Sequence, residues 1–238
     1  MSRFVLVHGA FCGAWCWEPL VGELEALGHS VDAIDLPGHG EDTTPLDEVT
    51  LDLYAERVAE TLAAGEPAVL VGHSMGGVVI TQTAARAREH VDRLVYCCAF
   101  LPRDGESLKS LADKPEGAAD LVQANLVLAP PVATLSPEAA REAFYELCTP
   151  EQAQWGLDHR QPQPIAPFMT PVDLDGGVDE IDRYYVLCTE DKAIPPPLQR
   201  RMSTESPCVE VAELEADHSP FLSKTSELAA ILDRFANA

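Results

Sequence analysis

Val69-Leu70-Val71-Gly72-His73-Ser74-Met75-Gly76-Gly77-Val78 decides the fold. The apolar run over residues 68–71 has the length and composition of a buried strand. A Gly-bracketed turn follows, then an Ala-rich helical pattern to about residue 89. Within it, Gly72-His73-Ser74-Met75-Gly76 matches G-x-S-x-G, the pattern that carries a serine at the tip of a sharp strand-to-helix turn. A residue in that turn is strained by about 1–3 kcal/mol, and the flanking glycines keep side chains from colliding. The helix behind it aims free N–H groups and its positive dipole end at the serine. A Gly-rich turn without chemistry would show the same pentapeptide, so the reading depends on its surroundings.

Outward from this turn, short apolar runs alternate with amphipathic helical patterns. Toward the N-terminus, residues 4–7 read as a strand and His8-Gly9-Ala10-Phe11-Cys12-Gly13-Ala14 as a loop. Residues 17–27 form a helix, with Leu20, Leu24 and Leu27 on one face and Gly28 at its C-terminal cap. Residues 30–35 form the next strand, closed by Pro37-Gly38-His39-Gly40, and residues 51–64 a helix with the stripe Leu51, Ala55, Val58, Leu62. Toward the C-terminus, strands are expected at 93–100, 183–188 and 208–212, and helices at 196–202 and 226–235. The alternation predicts an α/β fold, a mainly parallel sheet with helices on both faces.

From about residue 102 to 182 the rhythm changes and no strand is expected. Ser136-Pro137 opens a helical stretch to Leu147, and Thr149-Pro150-Glu151-Gln152 fits a capping box. Pro162, Pro164, Pro167 and Pro171 should hold an extended run. The expected organisation is a core of residues 1–101 and 183–238 with a helical cap, residues 102–182, inserted into it.

The 238 residues include 16 Lys and Arg against 39 Asp and Glu, a formal net charge of -23. Such a surface repels phosphate backbones and anionic lipid, which argues against nucleic-acid and membrane partners. The acidic residues are scattered, so the charge serves solubility. The apolar run at residues 4–7 is too short for a secretory segment. The seven cysteines form no C-x-x-C pair and read as buried reduced thiols of a cytoplasmic protein, with neither metal nor cofactor expected. A homodimer is left open.

In parallel sheets, sites form at the carboxyl ends of strands. A serine there needs a base, and the base an orienting acid. Of the seven histidines, His218 lies after the final strand at that edge and is the expected base. His73 adjoins Ser74 but should point the other way. His8 should order its loop by hydrogen bonds. His29, His39 and His90 read as surface groups, and His159 as a solvent-exposed residue of the cap. Asp191, in the exit loop of the 183–188 strand, is the expected acid, with Glu190 the nearest competitor. Asp217 adjoins the base, and neighbours seldom face each other; Asp175 and Asp182 read as surface charges. The order Ser74, Asp191, His218 is nucleophile, acid, base. Backbone N–H groups of Met75 and Ala10 should hold a developing oxyanion, with Gly9 allowing close approach.

These residues resemble the α/β-hydrolase superfamily over essentially the whole chain. The stretch Phe4-Val5-Leu6-Val7-His8-Gly9-Ala10-Phe11-Cys12-Gly13-Ala14-Trp15-Cys16-Trp17, together with Leu24 to Val31 and Asp217-His218-Ser219-Pro220-Phe221-Leu222, is similar to its hydroxynitrile lyase and methylesterase branch. Lyases of that branch carry threonine where Gly9 stands and lysine where Ser219 stands, so the resemblance implies an esterase acting on a small-molecule ester. The expected pocket is apolar, lined by Gly9, Phe11, Met75 and Leu101 from the core and by Trp155, Phe168 and Met169 from the cap. Hydrolysis of lactones, thioesters or amides, carbon–carbon lysis and a triad-bearing small-molecule receptor stay open as alternatives.

Overall fold

The computed structural model describes residues 1–175 and 177–238. Its main sheet is built from β1 (Arg3–Val7), β2 (Ser30–Ile34), β3 (Ala68–His73) and β4 (Val91–Cys97), and from two strands that follow the cap, β8 (Arg183–Cys188) and β9 (Glu210–Leu214). Between them lie three short cap strands, β5 (Val127–Ala129), β6 (Val132–Thr134) and β7 (Gln163–Pro164). The six main strands run parallel in the order β2-β1-β3-β4-β8-β9.

Strand side chains alternate between two buried clusters. Val5, Val7, Leu70, Leu94, Tyr96 and Leu187 enter one core, while Phe4, Leu6, Val69, Val71, Val95 and Val186 enter the other. A strand buried on both faces has no polar side, which is why these strands read as unbroken apolar runs. The first core is closed by α2 (Leu51–Ala63), α3 (Gly76–Arg86) and α9 (Pro196–Glu205), the second by α1 (Glu18–Ala26), α10 (Pro220–Ser223) and α11 (Thr225–Ala236). No helix among the described residues is long and apolar enough to cross a membrane.

Two strands sit off their expected positions. β4 starts at Val91 and stops at Cys97, because Cys98 takes a left-handed conformation with φ +36°. The chain then turns so that the Phe100 N–H donates to the Ser74 carbonyl at 3.1 Å. β9 lies at Glu210–Leu214, two residues later than expected.

The cap carries α4 (Leu108–Ala112), α5 (Leu121–Asn125), α6 (Pro137–Phe144), α7 (Pro150–His159) and α8 (Ala166–Met169). The Thr149 and Gln152 capping box is formed. The expectation of a strandless insertion is corrected: β5, β6 and β7 form an antiparallel sheet. Its strands are two or three residues long, too short for a period-2 pattern to register. The proline run is extended at Gln163–Pro164 but forms one helical turn at α8, where Pro167 takes a first-turn position that needs no N–H.

Candidate active site

Ser74 stands between β3 and α3 with φ +54°, the left-handed conformation the motif requires. Gly72 makes the turn tight enough, since a Cβ there would lie 2.6 Å from the Gly76 carbonyl oxygen. The loop after β1 comes equally close: a Cβ on Gly9 would stand 2.8 Å from the Ser74 Cβ and from His73 Nδ1. Glycine is therefore what lets this loop lie against the serine.

The loops after β8 and β9 meet at the same edge. His218 Nδ1 donates to Asp191 Oδ2 at 2.8 Å, with both side chains buried. Asp191 Oδ1 also accepts the N–H groups of Ala193 at 2.8 Å and Ile194 at 2.9 Å, and Oδ2 the Gln199 Nε2 amide at 3.1 Å. Four donors fix one carboxylate, which makes its burial tolerable. Glu190 is exposed, and Asp217 is engaged by partners other than the His218 ring. Its Oδ2 accepts the Leu147 N–H at 2.8 Å and its Oδ1 the Ser223 hydroxyl at 2.7 Å. With Nδ1 committed to Asp191, the His218 ring has Nε2 for proton transfer, and Phe144 stacks on the ring at 5.4 Å.

Four other histidines are buried and held by hydrogen bonds, while His159 is exposed as expected. His73 Nε2–H donates to the His218 carbonyl at 2.7 Å, and burial holds its pKa well below the ordinary value. His8 Nδ1–H donates to the Gly9 carbonyl at 2.8 Å while Nε2 accepts the Leu36 N–H at 3.2 Å; burial lowers its pKa to about 4. This ties the loop as expected. The expectation of surface roles for His29 and His39 is corrected. His29 is buried between the Ser2 N–H and Asp233. His39 is fully buried against the Tyr54 hydroxyl at 2.9 Å, its pKa pushed down to about 3 by burial.

One cavity of about 300 Å³ opens at this edge. Ser74, His218, Ala10, Met75 and Phe11 line it, as do Phe168 and Met169 from α8. Met75 is the residue before the first turn of α3, where amides have no partner inside the helix. Gly9, Leu101 and Trp155 are not among the residues that line this cavity; Gly9 lies behind it, against Ser74 and His73. Leu101 faces a second one beside Thr81 and Tyr96, because the turn at Cys98 sends Phe100 inward instead. Trp155 packs edge-on against Trp15, with ring centroids 5.0 Å apart. Sequence reasoning missed Phe144 and Tyr145, which line the cavity, and the buried amide of Gln163, whose Oε1 accepts the Phe11 N–H at 3.3 Å.

Donor atoms of His73, Cys98 and His218 lie within 4.8 Å of one another. They form a packed hydrogen-bond group rather than a metal cradle. His73 Nε2 and Cys98 Sγ both point at the His218 carbonyl, and burial pushes the Cys98 thiol well above its ordinary pKa.

Residues 4–231 match the family described as the alpha/beta hydrolase family. The chain is 33% identical to methylesterase 7 of Arabidopsis thaliana, covering 99% of this chain and 96% of that protein. It is 31% identical to salicylic acid-binding protein 2 of Nicotiana tabacum, covering 99% and 97%. Among solved structures, a pyrethroid hydrolase from Sphingobium faniae JZ-2 superposes with a TM-score of 0.90 at 30% identity, covering 100% of this chain and 98% of that one. Polyneuridine aldehyde esterase gives 0.88 at 27%, covering 99% of each.

Proposed function

The chain belongs to the alpha/beta hydrolase family and is a carboxylic ester hydrolase, and on that premise we propose that it hydrolyses small, largely apolar esters through an acyl-enzyme on Ser74. The carrying observation is the buried 2.8 Å pair of Asp191 and His218 opening on the cavity that the strained Ser74 also lines. His218 Nε2 takes the hydroxyl proton as Ser74 Oγ attacks the acyl carbon. The oxyanion is held by the N–H groups of Ala10 and Met75. His218 then returns the proton to the leaving alcohol, and the C–O bond breaks to leave the acyl-enzyme. Water, deprotonated by His218, attacks the same carbon and releases the acid and the serine. Asp191 keeps the imidazole in the required tautomer and stabilises its cation.

The apolar lining by Phe11, Phe144, Phe168 and Met169 supports an uncharged acyl group. Cyanohydrin cleavage is disfavoured because Gly9 has no space for a threonine Cβ and Ser219 brings no positive charge to the cavity. A cytoplasmic setting is proposed on seven free cysteines. The rival reading, a receptor that keeps the triad, draws on the likeness to the tobacco salicylic acid-binding protein.

Hydrolysis of p-nitrophenyl esters from acetate to long-chain acyl groups tests the proposal, with Ser74→Ala as control. The expected result is turnover that falls by about 10⁴-fold or more in the variant with an unchanged melting temperature. Full turnover without the serine overturns the mechanism; folded wild-type protein inert on the whole series moves the assignment to the receptor.

A further inference from the structure

Asp120 is a carboxylate that the proposed mechanism does not use. It is 6% exposed and lines the cavity with Ser74 and His218. One oxygen caps α5, accepting the Gln123 N–H at 2.9 Å. The next residue fixes its place: the Leu121 N–H donates to the Lys192 carbonyl at 2.9 Å. Asp120 therefore adjoins the loop whose Ala193 and Ile194 amides hold Asp191. This is the part of the cavity next to the Asp191–His218 pair. It is the side on which His218 would hand a proton to the leaving alcohol.

The charges around Asp120 are otherwise matched. Lys109 of α4 and Asp113 at its C-cap, which also line the cavity, bond to each other, Lys192 turns outward to Glu146, Glu116 is held by Arg201, and Asp191 by His218. Among the described residues no cation pairs with Asp120. Phe11, Phe144 and Phe168 line the cavity with apolar rings, and the Arg160 guanidinium lies over the Phe11 and Phe144 rings without lining the cavity itself.

We propose that Asp120 makes the leaving-alcohol side of the cavity selective for esters of cationic alcohols over those of anionic ones. The proposal rests on the esterase reading above. Burial pushes the Asp120 carboxyl up to about 6 against the Gln123 and Val122 amides and the nearby His218, so the group is largely ionised at pH 8 and largely neutral at pH 5.

The test compares butyrylcholine with its uncharged carbon isostere, 3,3-dimethylbutyl butyrate, and with the butyrate ester of glycolate, following proton release. The ratio of kcat/KM between two esters cancels the ionisation of His218, which all share. At pH 8 the expected preference for choline over its isostere is about tenfold, the scale of one attraction between unit charges in a partly screened site, with the glycolate ester slower than both. The preference falls toward one at pH 5. Asp120→Asn erases it at both pH values, and asparagine caps a helix as well as aspartate does, so the swap isolates the charge. An unchanged choline-to-isostere ratio in Asp120→Asn, with serine-dependent turnover intact, overturns the Asp120 proposal and leaves the esterase standing. No serine-dependent turnover of any ester overturns both.

Discussion

The parallel sheet buries both faces of its inner strands, whereas the inserted segment leaves Leu128 and Met169 more than half exposed although both line the cavity. The two regions are built to different tolerances. Around Ser74, one added Cβ at Gly72 or Gly9 would meet its neighbours at 2.6 or 2.8 Å. In the cap, α4 and α5 are five residues long and α8 four, each too short to be stable without packing. Close packing holds a reacting group in one geometry, while short, half-exposed elements can be rebuilt without disturbing it. Under the proposed mechanism, the division puts chemistry at the sheet edge and selection in the cap. Asp217 joins the two, because it stands next to His218 and holds the Leu147 amide of the cap.

The largest effect that could break this division lies in the sheet. Asp191→Asn keeps the shape but presents an amide where His218 Nδ1–H needs an acceptor. The expected loss in kcat is about 10⁴-fold, the scale of losing the imidazole's tautomer and cation partner, with KM little changed. A loss below tenfold in steady-state kinetics would show that Asp191 does not orient the base.

Next in size is the pH dependence of stability, which separates the regions by sign. His8 and His39, buried at the sheet edge, have folded pKa values of about 4 and about 3, and His73 is also held well down by burial. The unfolded chain takes these protons near 6.5, so the stability they contribute is complete above pH 6.5. It is lost as pH falls toward the folded values, at about 1.4 kcal/mol per pH unit for each histidine. Asp120 acts oppositely. Its folded pKa, about 6, is above the ordinary carboxylate value, so the folded state gains relative stability as pH falls below 6. Urea unfolding between pH 7.5 and 5 should therefore show falling stability that is steeper in Asp120→Asn. A flat wild-type profile would mean that the histidines accept protons in place.

The sequence discloses these two regions unequally, for the same physical reasons. Strands buried on both faces leave apolar runs, and the serine turn needs glycine at fixed offsets, so the sheet, Ser74, Asp191 and His218 could be placed before any coordinates. His39 was misread because a histidine in a Pro-Gly turn has the pattern of a surface group, and only the fold brings Tyr54 to it. Gln163 and Gln199 left no signal: a buried amide is marked by its partners, which are 152 and 8 residues away. Leu101 was misplaced by the unforeseen left-handed Cys98. Trp155 was misplaced because a tryptophan on a cap helix packs on Trp15 as readily as on a ligand. Strands of two or three residues have no readable period, and they are how the cap is built.

The smallest effect sharpens the comparison most. Met169 is 54% exposed and lines the cavity, so Met169→Ala removes apolar surface that a ligand could cover and little that the fold needs. Stability should shift by less than about 0.5 kcal/mol. Acetate turnover should stay as it is, because a short acyl group does not reach α8. A long acyl chain that passes α8 should lose about threefold in kcat/KM, the order of one partly buried methionine side chain. The measurement is the ratio of long-chain to acetate kcat/KM in the two proteins. If acetate falls as far as the long chain, α8 acts on the reacting geometry rather than on the chain, and chemistry and selection do not divide between sheet and cap.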